Sequence, residues 1–447
     1  MKKILYLSVT LVLVLWCANI AQATNGYFSH GYGLKAKGMA GATTAVPQDA
    51  MIAASNPAGM AFVGDRFDVG LDWFSPKRSA ERTGAGAGSD INGSAKSDST
   101  SFFIPELSVN KMLTPNMSLG LTVYANGGMN TNYPEGQITT ATGVGTCNNF
   151  LTMGGQATST SHNLLCGTSR LGVDLMQVII APTIAYKVAA NHSFGISPLI
   201  GYQRFKADGL QGFAAYSEDS TKLTNNGYDT ASGLGVRVGW MSKFSDWLTV
   251  GAAYSSKIYM SKFDKYRGLF AEQGDFDMPA NYNIGIAVKP VQPVTLAVDY
   301  QRINYSGVNS VGNPSTNGGA TIANTLGGDE GRGFGWKDAK IIKIGADYKF
   351  NELVTFRAGY SHTNNPIQSR DVTFNIIAPG VIKDHYTAGL TFNITKSSEL
   401  TVAYMHAKNN SVSGSSLFNT WVGPNTAGDE KIKMYQNALG LAYGMRF

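Results

Sequence analysis

The sequence predicts an all-β protein: a membrane-spanning barrel of fourteen antiparallel strands with an N-terminal plug (hatch) inside its lumen. Three observations predict this fold. Charged residues make up only 15% of the 447 residues, against about 25% in an ordinary soluble chain. After residue 22, no uncharged apolar run approaches the roughly 20 residues of a membrane-spanning helix. Apolar residues instead alternate with small or polar ones, as in strands with one apolar face.

The first element is a secretory signal peptide, residues 1–23. Basic residues precede an apolar stretch, and Ala21 and Ala23 fit the small-x-small rule for cleavage. A lipoprotein is disfavoured because a large aromatic residue precedes Cys17. Cleavage before Thr24 removes two of 36 basic residues and none of the 30 acidic ones, so the mature chain carries only a small positive excess. This excess gives little support for binding nucleic acid, and we expect none.

The second element, residues 24–64, is predicted to be the plug. This segment does not alternate and is rich in Gly, Ala and short polar residues, so it is unsuited to membrane strands. A barrel of this size would otherwise leave its lumen open to water. We expect a short helix at 49–54 that ends before Asn56 and Pro57, since proline disfavours helix in the preceding residue. A disordered periplasmic tail is the alternative, which the apolar content of the segment disfavours.

The third element is the barrel, residues 65–447. Candidate strands begin near Arg66, Phe102, Asn116, Leu171, His192, Ser232, Trp247, Asn281, Pro293, Asp338, Leu353, His385, Glu399 and Met434. Short turns alternate strictly with long polar loops along this series, which is typical of outer-membrane barrels with an even strand number. A soluble sandwich gives no reason for such parity. Lipid supplies no hydrogen bonds, so the sheet must close on itself.

The ends of the strands indicate how the barrel sits in the outer membrane of a Gram-negative bacterium. Candidates for the aromatic girdles at the two interfaces are Trp73, Trp240, Trp247 and Trp336. The final residue, Phe447, lies on the apolar face of the last strand. It resembles the C-terminal aromatic signal that the barrel-insertion machinery reads, so we expect this machinery and the lipid of the outer membrane as partners.

Two cysteines of the exported chain, Cys147 and Cys166, lie in one polar loop. An even pair in an oxidising compartment indicates a disulfide, with two free buried thiols as the alternative. No Cys or His cluster supplies the ligands of a structural metal site, and we expect neither a metal nor a cofactor. The six histidines lie in no recognisable Ser or Asp motif, so an enzyme such as an outer-membrane lipase is only a remote alternative.

Several motifs resemble one known family. Asn56-Pro57-Ala58-Gly59-Met60, before the first strand, resembles the plug and NPA motif of the FadL family, outer-membrane transporters of long-chain fatty acids and other hydrophobic compounds. Further stretches that resemble the family are Gly41-Ala42, Asp49-Ala50, Leu119–Gly128, Gly335–Asp338 and Arg357–Tyr360. The resemblance covers essentially the whole mature chain, while the long loops diverge.

The resemblance implies a route for an apolar solute. Family members capture substrate at extracellular loops, pass it to a pocket at the N-terminus of the plug, and release it sideways beside a kinked third strand. The kink glycine corresponds to Gly128, with Gly127 beside it, and Asn56, Pro57 and Ala58 belong to the gating plug. A glycine pair can interrupt a strand. The alternative is that this pair simply ends the third strand.

The resemblance also implies binding residues. Tyr27 and Phe28 of the plug are expected to contact the ligand. Lys337 corresponds to the family's basic residue that meets a carboxylate, and its odd number shares a face with Lys343, hence the lumen. The family's second basic residue falls near Gly209 here, which strengthens the case for an uncharged substrate.

The expected cargo is therefore a long-chain fatty acid or a similar hydrophobic compound. A channel for aromatic hydrocarbons of the TodX type is the competing hypothesis, and a general porin is a remote one. We expect passive diffusion, and lateral release into lipid would suit a monomer.

Overall fold

The computed structural model describes residues 25–86, 91–139, 146–317, 325–422 and 426–447. The predicted signal peptide, residues 1–23, lies outside these ranges and stays a prediction.

Fourteen strands form the wall of the molecule, each antiparallel to its two neighbours. They are β1 Arg66–Thr83, β2 Phe102–Met112, β3 Met117–Tyr133, β4 Leu171–Ala189, β5 His192–Asp208, β6 Asp229–Ser245, β7 Leu248–Ser255, β8 Asn281–Val291, β9 Val294–Ile303, β10 Ala339–Lys349, β11 Val354–Thr363, β12 Asp384–Asn393, β13 Ser398–Ser415 and β14 Asp429–Arg446. The last strand pairs with the first from Arg66↔Arg446 to Thr83↔Asp429, which closes the barrel. The prediction of fourteen antiparallel strands is confirmed.

Short strands in the long loops were not predicted. Gly93–Lys96 adds to the free upper edge of β1, Tyr259–Met260 adds to β6, and Ile138–Thr139 pairs with Ser161–His162. These segments carry too few residues for a period of two to stand out.

In the residues that the structure describes, helical structure is confined to short pieces. The α-helices are Leu34–Gly38, Cys147–Met153, Asn309–Gly312, Val372–Asn375 and Asn419–Val422, together with a distorted turn at Ala271–Gly274. The 3₁₀ turns are Ala50–Ala54, Pro57–Phe62, Gln211–Tyr216, Ser220–Lys222, Asp264–Tyr266, Tyr305–Gly307 and Ser369–Asp371. Among the described residues, each helix is too short or too polar to cross a membrane. The helix expected at 49–54 is thus a 3₁₀ turn, whose N-terminus the Asp49 carboxylate caps by accepting from the Met51 N–H.

The outer surface of the wall is apolar, because alternate side chains of each strand point away from the lumen. On β14 the outward series Tyr435, Leu439, Leu441, Tyr443 and Met445 is exposed, whereas the residues between them are mostly buried. Trp73 and Trp247 are exposed, as expected of girdle residues. Trp336 is only 1% exposed, so its assignment to a girdle is wrong: it precedes β10 and turns into the lumen.

The N-terminal segment fills the lumen, and residues 25–63 are almost entirely buried. Polar contacts join it to strands on all sides: Lys37 to Asp72 of β1, Met60 to Asn110 of β2, Ala58 to Ser193 of β5, Thr44 to Asp299 of β9 and Lys35 to Glu399 of β13. These contacts hold the segment inside the ring of strands, where the sequence predicts the plug.

Candidate binding pocket, plug and lateral opening

The Asn56-Pro57-Ala58 motif fastens the plug to the wall. The Asn56 amide donates to the Thr44 carbonyl at 2.9 Å and to the Trp240 carbonyl of β6 at 3.0 Å, and its oxygen accepts from the Ala58 N–H at 3.1 Å. All three hydrogen-bonding positions that Asn56 uses are thus buried and satisfied. Pro57 begins the following 3₁₀ turn and lies against the glycines of two strands, since a Cβ at Gly195 would stand 2.4 Å from the Pro57 carbonyl carbon.

A largely buried ion cluster lies near the periplasmic end of the lumen. Arg66 reaches Asp68 at 2.5 Å and Glu399 at 2.6 Å, and Lys35 of the plug reaches Glu399 at 2.5 Å. Burial, followed by repulsion from Asp68, raises the pKa of the neighbouring Asp49 carboxyl to about 6. This cluster was not predicted from the sequence. Its signal was present in the acidic residues at inward positions of β1 and in Lys35, Lys37 and Asp49, the only Asp, Glu, Lys or Arg residues in the sequence of the plug.

Tyr27 and Phe28 lie in an aromatic cluster at the centre of the lumen. The Tyr27 ring has neighbours at centroid distances of 5.1 Å for Tyr305, 5.7 Å for Trp336 and 6.0 Å for Phe276. Tyr27 and Phe28 are 0% and 2% exposed. The Tyr27 hydroxyl, although buried, has no hydrogen-bond partner in the part of the chain that the structure describes. The structure therefore places the two predicted residues in one buried aromatic cluster of the lumen.

Lys337 does not lie in the aromatic cluster around Tyr27, and the expectation that it faces the lumen is wrong. Its side chain is exposed, while its backbone N–H donates to the Pro366 carbonyl at 3.0 Å. The parity argument fails because regular alternation begins only with β10 at Ala339. The preceding residue, Trp336, takes the lumenal position instead.

A different cation, Arg332, borders an apolar crevice beneath the extracellular loops. The side chains that line this crevice include Leu165, Phe205, Phe213, Phe270, Phe334 and Phe374. One Arg332 nitrogen donates to the Ser315 carbonyl at 2.9 Å, and the guanidinium lies 6.0 Å from the Tyr216 ring centroid and 5.7 Å from that of Trp421.

Arg332 is only 8% exposed, and burial lowers the pKa of its guanidinium. Its Nε has no hydrogen-bond partner, and it forms no ion pair with a carboxylate of the described ranges. Sequence reasoning missed this residue because nothing in the local pattern distinguishes a loop arginine that turns inward.

The wall is incomplete between β2 and β3. Their pairing ends at Glu106↔Tyr124, whereas β3 continues along β4 as far as Tyr133↔Leu171, with a bulge between Ala125 and Gly127. The alternative that Gly127 and Gly128 end the third strand is wrong, because the strand runs through both glycines.

The plug covers this opening from inside. The Gly128 N–H donates to the Tyr27 carbonyl at 3.0 Å, and the Ser29 N–H donates to the Asn126 carbonyl at 3.1 Å. A Cβ on Gly127 would stand 1.7 Å from the Tyr27 carbonyl oxygen, so no larger residue fits without displacing the plug. Gly127 is thus the glycine that permits the close approach.

The outer face of the wall is recessed beside the opening. Leu107 of β2 and Val123 of β3 point outward, yet they are only 8% and 5% exposed, against 49% for the outward Ile184 of β4. They pack with Phe67, Val69, Leu121, Val178 and Ile180. This recess is an apolar surface that leads from the opening towards lipid.

The extracellular loops are joined by one covalent link. The Sγ atoms of Cys147 and Cys166 lie 2.09 Å apart, at disulfide distance. The link ties the start of helix Cys147–Met153 to the segment before β4, beside the crevice bordered by Arg332.

Comparison with known proteins gives a consistent result. The model of the family "Outer membrane protein transport protein (OMPP1/FadL/TodX)" matches residues 146–447. The Pseudomonas putida toluene transporter TodX is similar in structure, with a TM-score of 0.64 and 19% identity over 94% of this chain and 99% of that one. A Pseudomonas aeruginosa FadL homologue gives 0.64 and 16% over 94% and 100%. The Ralstonia pickettii toluene transporter TbuX gives 0.60 and 18% over 94% and 99%.

At these identities the structural likeness shows the fold alone. No curated protein sequence matches the chain. The family model covers more than half of the chain, and the closed barrel of fourteen strands agrees with it. The chain therefore belongs to the FadL/TodX family of outer-membrane proteins that transport hydrophobic compounds.

Proposed function

We propose that the protein takes up long-chain fatty acids or similar hydrophobic molecules across the outer membrane by passive diffusion. A molecule is captured among the extracellular loops, passes to the pocket beside Tyr27 and Phe28, and leaves sideways between β2 and β3. The observation that carries this proposal is the incomplete wall above the pair Glu106↔Tyr124, covered from inside by plug backbone.

The buried charges support a sideways rather than an axial exit. An apolar solute that moved down the barrel axis would have to displace the ion cluster of Lys35, Arg66 and Glu399, whose charges are paired away from water. Breaking buried ion pairs is costly. The recess around Leu107 and Val123 offers an apolar surface instead.

The plug supports a gate at this opening. Two backbone hydrogen bonds join its Tyr27–Ser29 segment to the bulged part of β3. Each such bond contributes about 1 kcal/mol net, so thermal motion can open the contact while the Asn56 motif keeps the rest of the plug docked.

Arg332 supports an amphipathic cargo with an anionic head group. A buried guanidinium without a described carboxylate partner, at the border of an apolar crevice, is suited to one charge-assisted contact. The cluster of rings around Tyr27 supports the second candidate, an aromatic hydrocarbon. Parallel uptake of labelled oleate and toluene by cells with and without the protein distinguishes the two.

The proposal is tested with Gly127→Ala. The new Cβ would collide with the Tyr27 carbonyl oxygen, so we expect the leading part of the plug to shift and the uptake rate to change several-fold in a barrel that still folds. Gly307→Ala is the matched control, because a Cβ there meets no atom within 4 Å. Uptake that stays at the wild-type rate in Gly127→Ala, with a plug shown by hydrogen exchange to have moved, would count against the gate.

A further inference from the structure

A basic groove lies on the outer surface of the barrel, just above the apolar belt. It occupies about 630 Å³ between the extracellular halves of β1, β14 and the short strand Gly93–Lys96. The side chains that line it include Lys77, Ser79, Lys96, Lys433 and Tyr435. None of the transport steps proposed above uses these residues, which face away from the lumen.

Strand register brings the lysines together. Ser79 on β1 stands opposite Lys96 on one side and opposite Lys433 on the other. Neighbouring strands are about 4.8 Å apart, so the two lysine Cα atoms lie about 10 Å apart across Ser79. Lysine side chains are long enough for both ammonium groups to meet over the Ser79 hydroxyl. Lys77 lies two residues closer to the membrane on the same face.

These lysines lack counter-charges. Lys77, Lys96 and Lys433 are exposed, and none forms a salt bridge or side-chain hydrogen bond with a residue in the described ranges. The nearest carboxylate along the strand, Glu81, lies 4.0 Å from the Lys431 ammonium.

Several cations at the extracellular ends of other strands are paired within the protein. There Arg204 faces Asp174 at 4.0 Å, Lys257 faces Asp277 at 3.4 Å and Arg302 faces Asp338 at 2.6 Å. Cations at these other sites are thus neutralised by the protein itself. The groove over Ser79 instead presents positive charge to whatever lies beside it.

The position of the groove along the membrane normal indicates which part of the lipid lies beside it. On β1 the apolar outward series ends at Trp73, and Lys77 stands directly opposite Tyr435 of β14. Exposed aromatic residues mark the boundary between hydrocarbon and head groups. The lysines therefore lie at the level of the head groups of the outer leaflet, whose glycolipid carries phosphates on its lipid A sugars.

We propose that this groove binds the phosphorylated glycolipid of the outer leaflet, with one lipid A phosphate over Ser79 between Lys96 and Lys433. Its acyl chains lie against the belt at Trp73, Tyr435 and Leu439. Lys77 contacts the same head group from the membrane side. Ammonium groups bind phosphate as point charges and need no fixed geometry, which suits a flexible lipid.

The proposal is tested by measuring lipid binding to the detergent-solubilised full chain with native mass spectrometry. We expect Lys96→Ser/Lys433→Ser to bind bisphosphorylated lipid A about thirty-fold more weakly than wild type, from about five-fold per lysine near a charged surface. Lys222→Ser/Lys262→Ser removes two charges from extracellular loops outside the groove and is the control, with unchanged binding. Ser79→Asp places a carboxylate between the lysines and should weaken binding as well.

The ligands distinguish the possible sources of phosphate. Dephosphorylated lipid A should bind wild type weakly. Its affinity should not exceed that of bisphosphorylated lipid A for the Lys96→Ser/Lys433→Ser variant. Equal affinity of wild type and double variant for bisphosphorylated lipid A would overturn the proposal. So would phosphatidylglycerol that binds as tightly as lipid A, or inorganic phosphate that competes at equal concentration. A heat-modifiable electrophoretic shift verifies that each variant is a folded barrel.

Discussion

Asp49 lies in a cluster whose charges do not balance. The cluster in the described residues comprises four carboxyl groups, Asp49, Asp68, Asp347 and Glu399, and three cations, Lys35, Arg66 and Arg357. One carboxyl therefore lacks a counter-charge, and the carboxyl of Asp49 has its pKa raised to about 6 by burial. The docked plug is thus most stable when the Asp49 carboxyl is protonated.

The docking of the plug should consequently depend on pH. The pKa of Asp49 rises from 3.8 to about 6 on docking, so its contribution to stability is complete below about pH 4 and is lost as the pH rises through 6. Asp49→Asn keeps the cap on the Met51 N–H and removes the charge. We expect it to stabilise the plug by on the order of 3 kcal/mol at pH 8 and to change nothing at pH 4.

Hydrogen exchange of the amides in residues 50–54, compared between wild type and Asp49→Asn at each pH, measures this effect. Parallel pH profiles for the two proteins would show that Asp49 does not titrate on docking.

We propose that Arg332 contributes to the choice of cargo. Arg332→Met should weaken binding of oleate by about ten-fold or more, because a charge-assisted hydrogen bond contributes about 1.5–3 kcal/mol. Lys337→Met is the control, since Lys337 is exposed and away from the crevice. Binding is measured by displacement of a fluorescent fatty acid. Equal effects of the two substitutions would contradict the role of Arg332, and toluene uptake should not respond to either.

At the scale of elements, the third strand and the plug depend on each other. Beyond Tyr124, β3 has no partner on β2, and the Tyr27–Ser29 segment supplies hydrogen bonds to Asn126 and Gly128 in its place. The opening in the wall and the leading end of the plug therefore form one structural unit. A substitution in either the bulged part of β3 or the Tyr27–Ser29 segment should therefore alter the structure of the other.

The Asn56 motif should control how firmly the plug is held. Asn56→Ala deletes three hydrogen bonds and leaves the carbonyls of Thr44 and Trp240 without that donor. We expect residues 50–62 to lose about 2–4 kcal/mol of local stability. Faster hydrogen exchange there, with an unchanged barrel by heat-modifiable mobility, is the readout.

Asn116→Ala, in an exposed periplasmic turn, is the control and should leave exchange in the plug unchanged. If Asn56→Ala unfolded the barrel as well, docking of the plug would be part of barrel assembly rather than a separate step.

At the scale of the whole molecule, the barrel is polar inside and apolar outside. Inward residues such as Asp72, Asp299 and Glu399 contact the plug through ion pairs and hydrogen bonds. Water can satisfy these groups equally well when the plug is absent. Apart from the contact between the plug and β3, the backbone hydrogen bonds of the wall join neighbouring strands and do not involve the plug in the described residues.

Removal of the plug should therefore convert the transporter into an open pore. Deletion of residues 26–62 from the mature chain is expected to leave a folded barrel that conducts ions in planar lipid bilayers, while the intact protein shows little conductance. The comparison also tests the general-porin alternative, which requires large conductance from the intact protein. A deletion variant that folds but does not conduct would mean that the extracellular loops alone seal the lumen.

The sequence predicted more of the barrel wall than of the candidate site. Fourteen strands followed from alternation and loop lengths, and the inward plug from the lack of alternation in residues 24–64. Contact of Tyr27 and Phe28 with ligand stays a prediction. Lys337 was misplaced because parity was extended to residues that precede β10. Trp336 was assigned to the membrane surface because it stands close to the end of a strand. Arg332 and the ion cluster around Glu399 carried no local pattern.

The sequence by itself determined the closed barrel, its strand number and the position of the plug, because alternation and turn length are properties of neighbouring residues. Only the tertiary structure decided that the wall is open between β2 and β3, that Gly127 meets the plug, and that Arg332 rather than Lys337 borders the apolar crevice. These features depend on segments tens to hundreds of residues apart meeting in space, and their contacts arise from the packing of the whole chain.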